Sequence, residues 1–563
     1  MEIRRTLLMA AIAIVAYFMF VSWQQDFSPE KTAASTSAQT QATATHSDSV
    51  PEVATSANQP AVNTDNQTGG KLIHVTTDVM NLVINTRGGD IVSLDLSQYP
   101  LHADTPDKPF PLLSNSDTLA FEAQSGLIGP NGTDGATRPL FRSDKQEYQL
   151  ANDADTLVVT LSLPTQNGVT ISKRYTFTRG SYLVKVENQV NNQSKKAWQG
   201  AFYGQLKRDG SEDPSVVGKG FSSMSTFLGG AYYSADNKYE KLNLDSFKDE
   251  PLKLERSGGW IALSQHYFLT AWVGADKQNN SYSTFYKDDS TGKPYYFLRY
   301  ISPLQTVEPG QTSHFEAALY AGPKQQDKLA AISPGLGMTI DYGWSWFIAE
   351  PIFAVLVFLE SGRFNLFGHH LSLGSGVGNW GIAIILLTLI IKLLFFRLSA
   401  SSYRSMAKMR KAAPEMMRIK EQYKDDRQKQ SQEMMKLYQK EKINPIGGCL
   451  PMLIQAPVFI ALYYVLLYAV DLRQAPFYGW ITDLSVMDPW FILPLLMGAS
   501  MFIQMQLNPT PADNTQAKVM KWMPVAFTVF FLWFPSGLVL YYVTNNILSI
   551  AQQYWITRKI ENG

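Results

Sequence analysis

Residues 380–397 read Trp380-Gly-Ile-Ala-Ile-Ile-Leu-Leu-Thr-Leu-Ile-Ile-Lys-Leu-Leu-Phe-Phe-Arg397, an apolar run with Lys392 inside it. A run of this length predicts a membrane-spanning helix. A cation at mid-membrane costs at least ~2.5–3.5 kcal/mol on insertion scales, so Lys392 needs a partner or water. Arg397 follows closely, and Lys392 could instead extend its stem to the lipid headgroups. Lys392 is therefore the first candidate functional residue, although extension of its side chain to the headgroups would also explain its position.

Further apolar segments follow this one along the chain. Together they predict five spans, at residues 378–398, 446–470, 489–507, 522–534 and 537–556. Residues 1–23 have a basic flank, a long apolar core and no small-residue cleavage pattern, which predicts an uncleaved signal anchor and a sixth span. Residues 24–70 are rich in Ser, Thr, Ala and Gln, which predicts a disordered linker. Residues 522–534 would cover only roughly 20 Å of a core of about 30 Å, unless their helix begins before Lys521.

Residues 71–335 alternate apolar and polar side chains between turn signals such as Arg87-Gly-Gly-Asp90. The pattern predicts an all-β, supersandwich-like domain, with strand segments at 72–77, 79–85, 91–96, 157–163, 169–178, 182–190 and 260–273. The histidines of this region are scattered and form no catalytic spacing; they are His74, His102, His266 and His314. A membrane-anchored, carbohydrate-active enzyme stays an alternative, because a sandwich of this size can hold a site that spacing does not reveal.

The chain has 563 residues, a net charge of +1 and one cysteine, Cys449. The balanced charge indicates no general affinity for nucleic acid, so DNA is not an expected partner. A single cysteine excludes an intrachain disulfide. Basic residues concentrate in 399–445, which the positive-inside rule places in the cytoplasm. Both termini are then expected in the cytoplasm, and the β domain in the periplasm.

Two segments beside the predicted spans have their own patterns. Residues 399–445 predict a cytoplasmic helical hairpin whose arms carry methionine-rich stripes, typical of a seam or of a surface for varied apolar partners. Its basic face suits solvent, anionic lipid or ribosomal RNA. Residues 340–362 are apolar but contain Glu350, Pro351 and Glu360, which predicts an interfacial helix on the outer leaflet.

Polar side chains recur at matching depth on several predicted spans. Thr388 and Lys392 share one helix face, and Gln455 lies about ten residues into its span. On the last span, helical spacing relates Tyr541, Asn545, Ser549 and Gln552, with Tyr542 and Asn546 beside them. The outer halves of the spans are apolar and aromatic. A water-filled cavity open to the cytoplasm and closed outward explains this asymmetry, although each residue alone could serve helix packing.

Five runs carry a family resemblance: Asn444-Pro-Ile-Gly-Gly-Cys-Leu-Pro-Met-Leu-Ile-Gln-Ala-Pro457, Leu472-Arg-Gln-Ala-Pro476, Phe530-Phe-Leu-Trp-Phe-Pro-Ser-Gly-Leu-Val-Leu-Tyr-Tyr542, Ser405-Met-Ala-Lys-Met-Arg410 and Ser431-Gln-Glu-Met-Met435. They resemble the YidC/Oxa/Alb family of membrane protein insertases, in the Gram-negative form with a large periplasmic domain. The resemblance is dense across 378–556 and architectural over the β domain. It implies an insertase and chaperone of the bacterial inner membrane, not a bond-breaking enzyme, with no cofactor or metal.

The resemblance also implies roles for individual residues. The groove that receives polar substrate segments would be lined by Lys392, Thr388, Gln455 and Tyr542, to which the polar face of the last span adds Asn545 and Asn546. The surface along which a substrate helix slides would include Phe459, Phe530, Phe531 and Trp533. The hairpin that captures substrate would present Met409, Met416, Met434 and Met435. The implied partners are nascent membrane proteins, the Sec translocon and the ribosome; anionic lipids follow from the basic hairpin face.

The chain departs from the family pattern in places. The groove cation is often arginine in this family, and Lys392 keeps the charge without the bidentate fork. Residues 361–377 look like an insertion, and its adjacent histidines, His369 and His370, point in different directions, which disfavours a metal site. A secondary transporter is the other alternative, but internal repeats and polar groups reaching both membrane faces are not seen.

Overall fold

The structure is a computed structural model that describes residues 70–563, apart from 136, 217–225, 235–237, 276–277, 367–368, 373, 425, 442, 444–449, 509–513 and 562–563. The predicted anchor at 1–23, the predicted linker up to residue 69 and Cys449 lie outside the described residues. Two large β-sheets come first along the chain, and a helical region follows them.

The described strands are β1 (Leu72–Thr76), β2 (Met80–Asn85), β3 (Asp90–Pro100), β4 (Pro109–Asn115), β5 (Ala120–Ile128), β6 (Glu147–Gln149), β7 (Thr156–Ser162), β8 (Val169–Thr178), β9 (Leu183–Asn192), β10 (Trp198–Asp209), β11 (Gly229–Tyr233), β12 (Glu240–Asn243), β13 (Lys253–Ser257), β14 (Trp260–Ser264), β15 (Phe268–Val273), β16 (Asn279–Asp288), β17 (Pro294–Ile301), β18 (Gln305–Val307), β19 (Thr312–Pro323), β20 (Arg363–Leu366) and β21 (His369–Ser372). The first sheet has the order β13-β16-β17-β10-β5-β4-β3-β2-β1-β6, with β18 also paired to β10. The second has the order β12-β11-β14-β15-β19-β9-β8-β7. The two remaining strands, β20 and β21, form a hairpin within the predicted insertion at 361–377.

The two sheets pack face to face through aromatic side chains. The ring centroids of Phe110 on β4 and Phe268 on β15 are 4.2 Å apart, and those of Phe202 on β10 and Trp272 on β15 are 5.8 Å apart. Gly204 on β10 lies so close to Trp272 that a Cβ there would be 2.5 Å from the indole, which requires glycine. The prediction of a β-sheet-rich domain is therefore confirmed.

One predicted strand segment differs from the structure. The segment at 260–273 is two strands, β14 and β15, joined at Gln265, whose backbone N–H donates to the carbonyl of Phe268 at 3.0 Å. Both strands are buried along their whole length. Because the apolar pattern continues through the turn, the sequence does not show where β14 ends and β15 begins.

A buried lysine joins the two sheets at one end of the sandwich. Lys173 on β8 donates from Nζ to the carbonyls of Gly88, Gly89 and Ser125, at 2.9, 3.1 and 2.8 Å. Burial lowers the pKa of Lys173 to about 8. Three acceptors match the three donors of an ammonium group, so this buried cation is fully hydrogen-bonded.

The described helices are α1 (Ser246–Asp249), α2 (Gln326–Ile332), α3 (Trp346–Ser361), α4 (Trp380–Leu394), α5 (Phe396–Lys411), α6 (Ala413–Gln422), α7 (Arg427–Lys440), α8 (Leu450–Tyr468), α9 (Ile492–Gln506), α10 (Asn514–Phe531) and α11 (Ser536–Glu561). Among the described helices, Gly343–Ser361 is long and apolar enough to cross a membrane by itself. The bent pair Trp380–Leu394 and Phe396–Lys411 passes the same test when taken together, and the apolar helices at Gln455–Tyr468, Ile492–Gln506 and Met520–Phe531 are shorter. The count of six spans and the interfacial position of 340–362 stay predictions.

The helix boundaries differ from the sequence expectation at three places. Helices α4 and α5 meet at a bend of 68°, and α5 ends before a separate α6. The break at Ala412 precedes Pro414, which has no backbone N–H for a continuous helix. Helix α10 has 18 residues and begins before Lys521, so the helix is longer than the predicted span at 522–534.

The β domain contacts the segment that follows α8. Arg473 donates from Nη2 to the carbonyls of Pro100 and Leu101, at 2.8 and 3.0 Å. Its guanidinium also lies over the rings of Phe110 and Phe268, at 5.6 and 5.7 Å from their centroids. The end of α8 is thereby attached to the edge of the sandwich.

Candidate functional site

Lys392 lies in the last turn of α4, and its ammonium group is directed at the neighbouring helix α11. Lys392 on α4 donates from Nζ to the hydroxyl of Ser549 on α11, at 2.7 Å. The side chain is half-buried. Among the residues that the structure describes, no carboxylate forms an ion pair with Lys392. The partner is thus a neutral hydroxyl, which does not neutralise the positive charge.

Ser549 connects Lys392 to two further elements. Its hydroxyl donates to the carbonyl of Asn545, one helical turn earlier, at 2.6 Å. Tyr403 on α5 also forms a hydrogen bond with Ser549, and its side chain is buried. Sequence reasoning missed Tyr403, because residues 399–423 were assigned to a hairpin arm away from the spans. The 68° bend after α4 is what brings this tyrosine back to the site.

Gln455 on α8 extends the polar contacts to a third helix. Its Nε2 donates to the hydroxyl of Tyr541 at 3.1 Å and to the side-chain oxygen of Asn545. Tyr541, Asn545 and Ser549 recur every four residues, so they lie along one face of α11. We call the set Lys392, Ser549, Asn545, Gln455 and Tyr541 the polar row. It connects α4, α11 and α8 within otherwise apolar helices.

Three sequence-predicted residues do not join the polar row. Thr388 is fully buried and donates to the carbonyl of Ile384 at 2.7 Å, within its own helix. Asn546 turns the other way and donates to the hydroxyl of Ser500 on α9 at 3.1 Å. Tyr542 has aromatic rather than polar neighbours. Adjacent positions on a helix face different directions, which separates Asn546 from Asn545.

The predicted sliding-surface residues divide into a buried group and an exposed group. The ring of Tyr542 lies 4.9 Å from that of Phe459 and 5.0 Å from that of Phe531. Phe531 is only 1% exposed, so it forms the floor of this aromatic cluster. Phe530 and Trp533 are 55% and 36% exposed, so they are the members that lie at the protein surface.

The predicted capture methionines lie on α5, α6 and α7. Met416 on α6 is buried against Leu437 and Tyr438 of α7, and Met409 and Met434 pack partly against the same cluster. Met435 points outward and is 53% exposed. The seam between α6 and α7 therefore uses most of these methionines, and Met435 is left on the surface.

One titratable group of the β domain was missed from the sequence. His314 on β19 lies 3.0 Å from the carboxylate of Glu187 on β9, a residue 127 positions away, and Glu316 completes a cluster of three. Arg174 shares the Glu187 carboxylate at 3.7 Å. The group is largely exposed, and such surface ion pairs contribute about 0–1 kcal/mol to stability. Strand pairing brings these residues together, and spacing along the chain does not reveal it.

Comparison with known proteins agrees with this division into a β domain and a helical region. Residues 72–355 match the family described as YidC periplasmic domain, and residues 372–563 match the family described as 60Kd inner membrane protein. The membrane protein insertase YidC of Alcanivorax borkumensis is 54% identical, with 100% of each chain covered. The proteins of the same name from Stutzerimonas stutzeri and Pseudomonas aeruginosa are 50% and 48% identical, and each alignment covers 100% of this chain and 99% of the relative. The chain therefore belongs to the YidC family of membrane protein insertases.

Proposed function

We propose that this chain inserts nascent membrane proteins into the inner membrane, and that the polar row receives the polar segment that must cross. The observation that carries the proposal is the 2.7 Å contact between Lys392 and Ser549, which holds a cation among apolar helices. No carboxylate in the described part of the chain pairs with this cation. Its relatives over the full length are named membrane protein insertases, and no observation favours a transporter or a carbohydrate-active enzyme instead.

The chemistry of the polar row suits an extended polar peptide. A peptide backbone has donors and acceptors that cost several kcal/mol each when they enter lipid without partners. Gln455, Asn545 and Tyr541 offer both donors and acceptors. Lys392 adds a positive charge that attracts acidic side chains, so substrates with acidic residues in the translocated segment should insert best. The row thus replaces part of the water that the peptide gives up.

The aromatic cluster suits the apolar part of the same substrate. Phe459 and Tyr542 lie beside the polar row, and Phe530 and Trp533 lie exposed at the edge of the cluster. An apolar helix that contacts these rings can move into lipid while its polar end still occupies the row. In this scheme the substrate leaves sideways, and Phe531 supports the contact surface from below.

The finer organisation belongs to the same proposal. Residues 1–23 anchor the chain, 24–70 link the anchor to a periplasmic β domain, and both termini lie in the cytoplasm. Residues 399–445, which include α6 and α7, form the cytoplasmic capture hairpin, whose basic residues face anionic lipid and the ribosome. The Sec translocon is a further partner, with which the chain shares some substrates. The support for this orientation is the concentration of Lys and Arg in 399–445.

Reconstituted insertion tests the proposal. The purified chain in liposomes should insert a single-span substrate with an acidic outer segment, and Lys392→Ala and Lys392→Glu should reduce the rate at least about tenfold, equivalent to ~1.4 kcal/mol. Lys392→Arg should retain most of the activity, because it keeps the charge. Arg397→Ala is the control for a nearby cation on the next helix. Wild-type rates for both Lys392→Ala and Lys392→Glu would contradict the role of the polar row.

A further inference from the structure

A second groove lies between α9 and α11, away from the polar row. Its volume is about 490 Å³, and its walls are almost entirely apolar. The lining residues are Leu496, Ala499, Ser500, Ile503, Val543, Ile547, Ile550, Ala551 and Tyr554. Two of the lining residues carry a hydroxyl, Ser500 and Tyr554. The Ser500 hydroxyl already donates to the carbonyl of Met497 and accepts from Asn546. The groove therefore offers its occupant dispersion contacts rather than hydrogen bonds.

The two helices that form this groove run parallel, and their contacts advance by the same number of residues on each helix. Asn546 bonds Ser500, and seven residues later Gln553 donates to the carbonyl of Leu507 at 3.1 Å. The buried side chains of Ser500 and Val543 form the floor, and Leu496, Ile503 and Ile547 stand half-exposed along the rims. Ala499 and Ala551 also line the groove, and their small side chains are exposed. These hydrogen bonds connect α9 and α11 at two levels along the groove.

The length of the groove distinguishes between occupants. From Val543 to Tyr554 the rise along α11 is roughly 16 Å, about half of a hydrocarbon core of ~30 Å. A membrane-spanning helix of a partner would need an apolar groove of the full thickness. One acyl chain of a phospholipid needs only one leaflet. The groove dimensions therefore favour a lipid over a partner helix.

A basic and aromatic end completes the site. Tyr554 closes the groove, and Arg558 lies one turn further along α11, with its guanidinium 5.9 Å from the Tyr554 ring centroid. Its Nη1 also donates to the Tyr554 hydroxyl at 3.4 Å. Tyrosine and arginine at a helix end are typical of the membrane surface, where arginine binds phosphate. We infer that this groove binds one acyl chain of an anionic phospholipid, whose phosphate is held by Arg558.

Lipid retention measures this site directly. The purified full-length chain, stripped of lipid in detergent, is mixed with phosphatidylglycerol or with phosphatidylcholine of the same chain lengths, and bound lipids are counted by native mass spectrometry. Wild-type protein should retain phosphatidylglycerol in preference. Ala551→Phe, which fills the groove, should abolish the retention, whereas Ile390→Phe on the exposed face of α4 should not. Arg558→Gln should weaken phosphatidylglycerol binding about fivefold, and Lys559→Gln should have little effect, because Lys559 is directed at the ring of Trp555 instead.

A second measurement does not depend on the variants. Phosphatidylglycerol with a photoreactive group on its acyl chain should label peptides that contain Ile503 or Ile547. The inference is overturned if Ala551→Phe retains as much phosphatidylglycerol as Ile390→Phe, or if wild-type protein binds both lipids equally. Labelling spread evenly over all exposed apolar helices would also overturn it, because that is the result for lipid that merely surrounds the protein. Crosslinks from Ile503 to a second protein chain would assign the groove to a partner helix instead.

Discussion

The Nε2 atom of His266 lies 2.7 Å from the carbonyl oxygen of Leu467, so a β-domain side chain donates to the last turn of α8. Carbonyls in the last turn of a helix have no partner within the helix. The His266 ring also stacks on Tyr267 at 3.8 Å and meets Tyr468 edge-on at 5.6 Å. The β domain thereby fixes one end of the helix that carries Gln455.

Replacement of His266 should destabilise the junction between the β domain and α8. His266→Ala leaves the Leu467 carbonyl without its donor in a buried site, which should lower the free energy of unfolding by about 1–3 kcal/mol. Thermal unfolding of the purified protein measures this as a lower Tm. His74→Ala is the matched control, because His74 is exposed on β1. Equal Tm values for the two variants would contradict a stabilising cap.

The same histidine should make stability depend on pH. Burial lowers the pKa of His266 from 6.5 to about 4, and its charged neighbours are Asp213, Lys324 and Arg473. The unfolded chain binds a proton below pH 6.5 and the folded chain does not, so stability is full above pH 6.5 and falls as pH falls towards 4. Burial lowers the pKa of Lys324 from 10.5 to about 7, so its contribution changes mainly above pH 7. Because Lys324 is present in the wild type and in any His266 variant, that contribution cancels when the two are compared.

Chemical unfolding at two pH values isolates this effect. Between pH 7.5 and pH 5, the wild-type chain should lose about 2 kcal/mol more than His266→Gln, which has no titrating ring. If the free energy of unfolding has the same pH dependence in both proteins, His266 is not the group responsible and other groups titrate instead.

The aromatic cluster should be needed for both packing and insertion. Tyr542→Ala removes the ring contacts to Phe459, Phe531 and Tyr541, each worth about 0.5–1.5 kcal/mol. We expect a lower Tm and fewer crosslinks between a nascent chain and Phe530. Tyr542→Phe keeps the ring and removes only the hydroxyl, so it should behave like the wild type in both measurements. A loss of equal size in Tyr542→Phe would point to the hydroxyl instead.

Variants at Met416 and Met435 should distinguish an effect on hairpin folding from an effect on substrate capture. Met416→Lys places a charge in the seam between α6 and α7, where burial of an unpaired charge is costly, so limited proteolysis between these helices should accelerate. Met435→Lys changes an exposed side chain, so proteolysis should stay at the wild-type rate while crosslinking to a nascent chain decreases. Normal crosslinking by Met435→Lys would remove Met435 from the capture surface.

Much of the architecture follows from local pattern. Alternating side chains and turn signals in 71–335 indicate the β domain, and apolar runs after residue 378 indicate the helical region. Spacing by four residues on the last helix identifies the face that carries Tyr541, Asn545 and Ser549, because that period is a property of every α-helix. The break before α6 was not predicted from the sequence, although Pro414 in the first turn of α6 has no backbone N–H for a continuous helix.

By itself, the sequence determined that Lys392 is a cation within an apolar helix, because hydropathy is a local property of the chain. Only the tertiary structure decided that its partner is Ser549, 157 residues away, and that Tyr403 returns to the same site across a bend. It also decided that Asn546 faces α9, and that Phe531 is buried while Phe530 is exposed. These outcomes depend on which helices pack together and at what rotation, and the free energy of that packing comes from contacts between segments far apart in the chain.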